Sequence, residues 1–177
     1  MPYRVETVYQ KGSRAFSTVV AIEGISKLTT SKLVYLSKQE IVSCEIEGEH
    51  QGCSGGGCDV EDAFEFIIRN HGINNEANYP YNTTETTCNK EKEASHVAKI
   101  SGYERVPANC KLALPKAVAH QPVSVSTDAG GSACQFYSSG VFTGNCGTKL
   151  DLGASVVGYD GVRVGAKRPF VVCHLAR

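Results

Sequence analysis

The sequence predicts an α+β chain in which helices come first and strands follow. Apolar residues recur at helical spacing in segments before Pro80. After Pro80, β-branched runs flanked by turn residues take over. The 177 residues carry no internal repeat and suffice for one domain, or for two small lobes sharing an interface.

Ser13 is placed to cap a first helix that continues through Arg14 to about Leu28. Its apolar positions Phe16, Val19, Val20, Ile22 and Ile25 spread around much of the circumference, the pattern of a helix buried on most sides. Ser37-Lys38-Gln39-Glu40 has capping-box form ahead of Ile41 and Val42. A third helix is expected over 62–70, with Gly72 as its C-terminal stop. Strands are expected at 97–103, 122–126 and 153–159. Between them, 112–119 reads as helical but contains Pro115. An interior proline costs about 3 kcal/mol, so a kinked or shortened helix is expected.

Charge narrows the function classes. Eighteen basic and eighteen acidic side chains cancel, which gives no electrostatic footprint for nucleic acid or an anionic membrane. No apolar run reaches the length of a bilayer span. Eight cysteines are many for a reducing compartment and point to an oxidising one. The opening residues 1–6 lack the basic, apolar, small-residue order of a secretory leader, which leaves the compartment open.

An ordered set of motifs then carries a resemblance. It begins with Gly12-Ser13-Arg14-Ala15-Phe16-Ser17 and Glu23-Gly24-Ile25, followed by the run from Leu33 to Glu40. Gln51-Gly52-Cys53-Ser54-Gly55-Gly56 and Asn78-Tyr79-Pro80-Tyr81 come next. The segments 116–125, 136–144 and 150–153 complete it. Over about 5–159 the chain resembles papain-family cysteine endopeptidases, and most of all the plant senescence-associated and KDEL-tailed branch. The resemblance implies a papain-like two-lobe fold within one domain over 1–177. A helical left lobe covers about 5–90, an incomplete antiparallel β-barrel right lobe covers about 91–159, and 160–177 is a divergent tail. The family's route is secretory or vacuolar.

The same resemblance exposes the catalytic positions as altered. The family reads Cys-Gly-Ser-Cys-Trp-Ala-Phe-Ser where this chain has only Arg14 between Ser13 and Ala15. A cysteine peptidase needs a thiolate at a helix N-terminus beside an imidazolium, and a guanidinium cannot replace it. The family's Leu-Asp-His-Gly is here Leu150-Asp151-Leu152-Gly153, and leucine cannot act as a base. The oxyanion glutamine aligns with Val8, and loss of one such donor costs about 10² to 10³ in rate. The chain as written is therefore expected to be proteolytically inactive. Two alternatives stay open: a non-catalytic decoy binding peptides or cystatin- or propeptide-type inhibitors, and an active endopeptidase if the active-site sequence is in error.

The substrate-groove remnant is expected at Gly55, Gly56, Cys58, Ser126, Leu150, Asp151 and Gly153. The resemblance implies a disulfide between Cys44 and Cys88. His50, Cys53 and Cys58 fit no standard zinc spacing, so no metal and no cofactor are expected. The five histidines are read as solvated or structural, and a monomer is expected. Asn82-Thr83-Thr84 is a glycosylation sequon, meaningful only on the secretory route.

Overall fold

The computed structural model describes residues 12–45, 60–107, 110, 112–139, 142, 144 and 147–159, together with the backbone of 172–176. The first helix, α1, spans Ser13–Thr30. Its N-cap is Gly12, at φ 101°, rather than the expected Ser13. Glycine takes this left-handed conformation at little cost, so the chain turns one residue earlier and the Ser13 hydroxyl is released for another partner. At the far end Ser31 closes the helix by donating its N–H to the Lys27 carbonyl at 3.0 Å. The Lys27 ammonium donates back to the Ser31 carbonyl at 2.7 Å, a cation where the helix dipole favours one.

α2 spans Lys38–Cys44 and uses the predicted cap: the Ser37 hydroxyl accepts from the Glu40 N–H at 3.0 Å. The capping box is only half made, because the Ser37 N–H donates to the Asn74 carbonyl instead. α3 spans Val60–Arg69, two residues ahead of its expected start. It ends in a Schellman motif whose left-handed residue is His71, at φ 60°, not Gly72. Gly72 donates to the Ile67 carbonyl and His71 to the Ile68 carbonyl. Gly72 is required for a different reason: a Cβ there would lie 2.7 Å from the Ala98 carbonyl oxygen. A short α4, Lys90–Glu93, was not foreseen from the sequence.

The first strand, β1, is Tyr103–Val106, beginning where the expected strand 97–103 ends. The reason lies in the backbone accounting. Val97 donates to the Ile73 carbonyl, and Ile73 donates to the Ala98 carbonyl, so this stretch is tied to the helical region before the sheet begins. α5, Ala113–Val118, is short, and Pro115 is its third residue. A proline there lacks an N–H that would have had no helical partner, so the expected interior penalty does not arise. β2 is Val123–Thr127, α6 is Ser132–Gln135, and β3 is Leu152–Val156. The segment read as a divergent tail supplies β4, Val172–Ala176.

The four strands form one antiparallel sheet in the order β1-β4-β2-β3. The longer helices precede the antiparallel sheet and only the short α5 and α6 fall between its strands, so the α+β prediction holds. The larger core packs α1, α2 and α3 through Ala15, Val19, Ile22, Ile41, Phe64 and Ile67. Ile100 joins that core, and Tyr103 stacks on Phe64 with ring centroids 5.5 Å apart. A smaller cluster of Ala117, Val118, Val123, Val125 and Ala154 sits under the sheet. Among the described residues, no helix is long and apolar enough to cross a membrane.

Candidate functional site

The N-terminus of α1 is set directly against the sheet, at the start of β3 and the end of β2. Gly153 makes this approach possible. A Cβ built on it would lie 2.6 Å from the α-carbon of Arg14 and 2.9 Å from the carbonyl carbon of Ser13. The Gly153 N–H donates to the Ser13 hydroxyl at 3.1 Å. Next to it, the Arg14 guanidinium donates to the Leu150 carbonyl at 2.9 Å. Arg14 on α1 and the Leu152-Gly153 start of β3, separate in sequence, thus meet at one junction.

A chain of hydroxyls continues inward. Ser124 on β2 donates to the Ser17 hydroxyl at 2.7 Å, and Ser17 donates to the Arg14 carbonyl at 3.0 Å. Ser155 on β3 reaches the Ser17 carbonyl at 3.4 Å. Sequence reasoning missed this relay. Its signal was the alternation of serines with valines in Val123-Ser124-Val125-Ser126, which put a hydroxyl toward α1.

Of the expected groove residues, Ser126, Leu150, Asp151 and Gly153 come together here. Ser126 pairs in register with Gly153 and is buried, with no hydrogen-bond partner for its hydroxyl among the described residues. Asp151 is exposed, and its carboxylate accepts from the Ala129 N–H at 2.8 Å, fixing the turn after β2. Leu152 is buried. Gly55, Gly56, Cys58 and Val8 lie outside the described residues, as does Cys53.

Behind the junction the helical lobe holds a second polar cluster. Glu40 is fully buried, accepting from the Asn74 N–H at 2.8 Å and from the Asn70 amide at 3.0 Å. Burial, opposed by the Asn74 N–H, pushes its carboxyl up to about 8, with nearby Glu93 adding to the rise. Glu45 is pushed up to about 7, by burial first and by Asp62 second, against the pull of Arg69. Cys44 and Cys88 are bonded as the resemblance implied, with α-carbons 4.7 Å apart. Together with Glu93 their sulfurs lie within 4.8 Å, but a disulfide offers no thiolate to a metal.

Residues 10–173 match the family described as papain family cysteine protease. The chain belongs to that family. Cysteine endopeptidase RepA of Oryza sativa subsp. japonica is 56% identical over 153 residues, covering 86% of this chain. Vignain of Ricinus communis is 55% identical over the same length. This papain-family chain spans only 40% and 42% of those two proteins. Among solved structures, the proform of the ragweed pollen allergen Amb a 11 cysteine protease superposes with a TM-score of 0.82 at 33% identity, covering 97% of this chain and 61% of that one. A Carica candamarcensis cysteine protease in complex with E-64 gives 0.76 at 37% identity, covering 85% and 68%. The papain-like fold therefore accounts for the juxtaposition of α1 with β3. In this chain that meeting point is occupied by Arg14, Leu152 and Gly153.

Proposed function

We propose that this papain-family chain, as its sequence stands, is a proteolytically inactive homologue that retains the family's fold without its hydrolytic chemistry. One observation supports the reading above the others: the Arg14 guanidinium is bonded to the Leu150 carbonyl at the mouth of α1. Peptide hydrolysis by a cysteine peptidase needs a nucleophile whose proton an adjacent imidazole can take. Arginine stays protonated at any working pH and has no lone pair to offer a carbonyl carbon. Leucine at 152 can neither accept that proton nor return it to the leaving amine. Ser13, the nearest hydroxyl in sequence, is engaged as acceptor for the Gly153 backbone N–H at 3.1 Å.

Exposure to a peptidyl epoxide followed by intact-mass measurement tests the proposal, run beside a dipeptidyl fluorogenic substrate. An unmodified mass and no release of fluorophore are expected. A covalent adduct, or cleavage above the buffer rate, overturns it and restores the endopeptidase reading. Calorimetric titration with a cystatin-type inhibitor separates a binding decoy from a chain that engages no such partner.

A further inference from the structure

The loop between Pro80 and α4 carries Asn82-Thr83-Thr84, the single Asn-x-Ser/Thr tripeptide of the sequence. All three residues are exposed. The Asn82 side-chain carbonyl accepts both the Thr84 N–H and the Thr84 hydroxyl, each at 3.1 Å. The threonine hydroxyl at the +2 position is thus already seated on the asparagine carboxamide. The amide nitrogen of Asn82 makes no hydrogen bond to the described residues and is open to solvent.

The turn is also held from below. Gln39, fully buried, accepts the Asn82 N–H at 3.0 Å and donates to the Thr84 carbonyl at 2.8 Å. Ser43 bonds Thr86 at 3.0 Å, and the Cys44–Cys88 disulfide anchors the loop a few residues further on. Thr83 sits at φ 65°, which turns the chain outward between these anchors. One side of the tripeptide is fastened to the core, and the other presents a free carboxamide nitrogen.

We propose that Asn82 is an N-linked glycosylation site. In the transfer, Nδ2 of Asn82 forms a bond to the anomeric carbon of an oligosaccharide carried on a lipid pyrophosphate. The bond from that carbon to the pyrophosphate oxygen breaks, Nδ2 loses one proton, and the lipid pyrophosphate leaves; nothing is oxidised or reduced. The Cys44–Cys88 disulfide is an independent sign of the oxidising compartment in which such donors act. A glycan on an exposed turn displaces no buried contact, so the folded chain accommodates it.

The test is translation of the full chain behind an added cleavable leader in the presence of endoplasmic-reticulum microsomes, read on the protease-protected fraction. A single upward mass shift, removed by peptide N-glycosidase with conversion of the asparagine to aspartate, is expected for the parent and for Thr84→Ser. Asn82→Gln and Thr84→Ala are expected to show no shift. A protected parent chain at its unmodified mass, or a shifted Thr84→Ala, overturns the proposal.

Discussion

The backbone N–H of Gly153 donates to the hydroxyl of Ser13 at 3.1 Å, joining residues 140 apart in sequence. Both are buried, so the bond has no water to replace it. Ser13→Ala is expected to lower stability by about 1–3 kcal/mol by stranding the strand N–H. Gly153→Ala acts differently, because its new Cβ would meet the Arg14 α-carbon, which is backbone and cannot rotate away. That overpacking is expected to cost about 1–3 kcal/mol or more. Urea unfolding followed by circular dichroism measures both; a Gly153→Ala chain as stable as the parent would mean α1 and β3 do not touch.

The Ser124–Ser17–Arg14 relay predicts an asymmetry. Ser124→Ala removes one bond, yet Ser17 keeps its own donation to the Arg14 carbonyl, so a loss of about 0.5–1.5 kcal/mol is expected. Ser17→Ala leaves the Ser124 hydroxyl buried with nothing to donate to, and about 1–3 kcal/mol is expected. The double variant should cost less than the two losses added, with a coupling of at least about 0.5 kcal/mol. A double-mutant cycle by chemical unfolding gives the coupling directly. Equal single losses with no coupling would sink the relay.

How far the sequence could be read depended on whether the deciding interaction was local. Helices α1, α2 and α3 followed from apolar spacing and, for α2, from Ser37, because capping and amphipathicity act within a few residues. Three details escaped for the opposite reason. The strand expected at 97–103 gave way to β1 because distant Ile73 takes the backbone groups of Val97 and Ala98. Glu40 looked like half of a capping box, yet its carboxylate serves Asn70 and Asn74, 30 and 34 residues away. β4 comes from the stretch read as a divergent tail, and its place depends on pairing with β1 and β2 rather than on its own composition. At the site, the resemblance singled out Arg14 and Leu152 as catalytic positions and Gly153 as part of the groove, while the close approach of the Gly153 and Arg14 backbones is a long-range packing contact that no local pattern announces.

Glu40 gives the fold a pH dependence of definite sign. Its carboxyl is raised from 4.5 to about 8 in the folded chain, chiefly by burial. In the unfolded chain it ionises near its ordinary value, while the folded chain still holds the proton. The folded state therefore binds more protons across that window, and stability falls as pH rises. The contribution is fully present below about 4.5 and is lost by about 8. Glu45, raised to about 7, adds in the same direction. Glu40→Gln, which keeps a neutral acceptor for the Asn74 N–H, is expected to flatten the decline. Unfolding midpoints measured across this range check it, and parallel profiles for parent and variant would remove Glu40 as the source.

Arg14→Cys separates the two parts of the proposed inactivity, the nucleophile at the start of α1 and the base at residue 152. The substitution places a thiol in the first turn of α1, where the helix dipole favours the thiolate. It also removes the guanidinium bond to the Leu150 carbonyl and opens the junction. The new thiol is expected to be alkylated by iodoacetamide, giving one added carboxamidomethyl relative to the parent. Hydrolysis should still be absent, because Leu152 supplies no proton acceptor for the attack and no acid for the departing amine. Alkylation without turnover, read by intact mass and a fluorogenic peptide, is the expected pair of results. Turnover by Arg14→Cys alone would show that another group in the chain serves as base, and the assignment of residue 152 as the missing partner would fall.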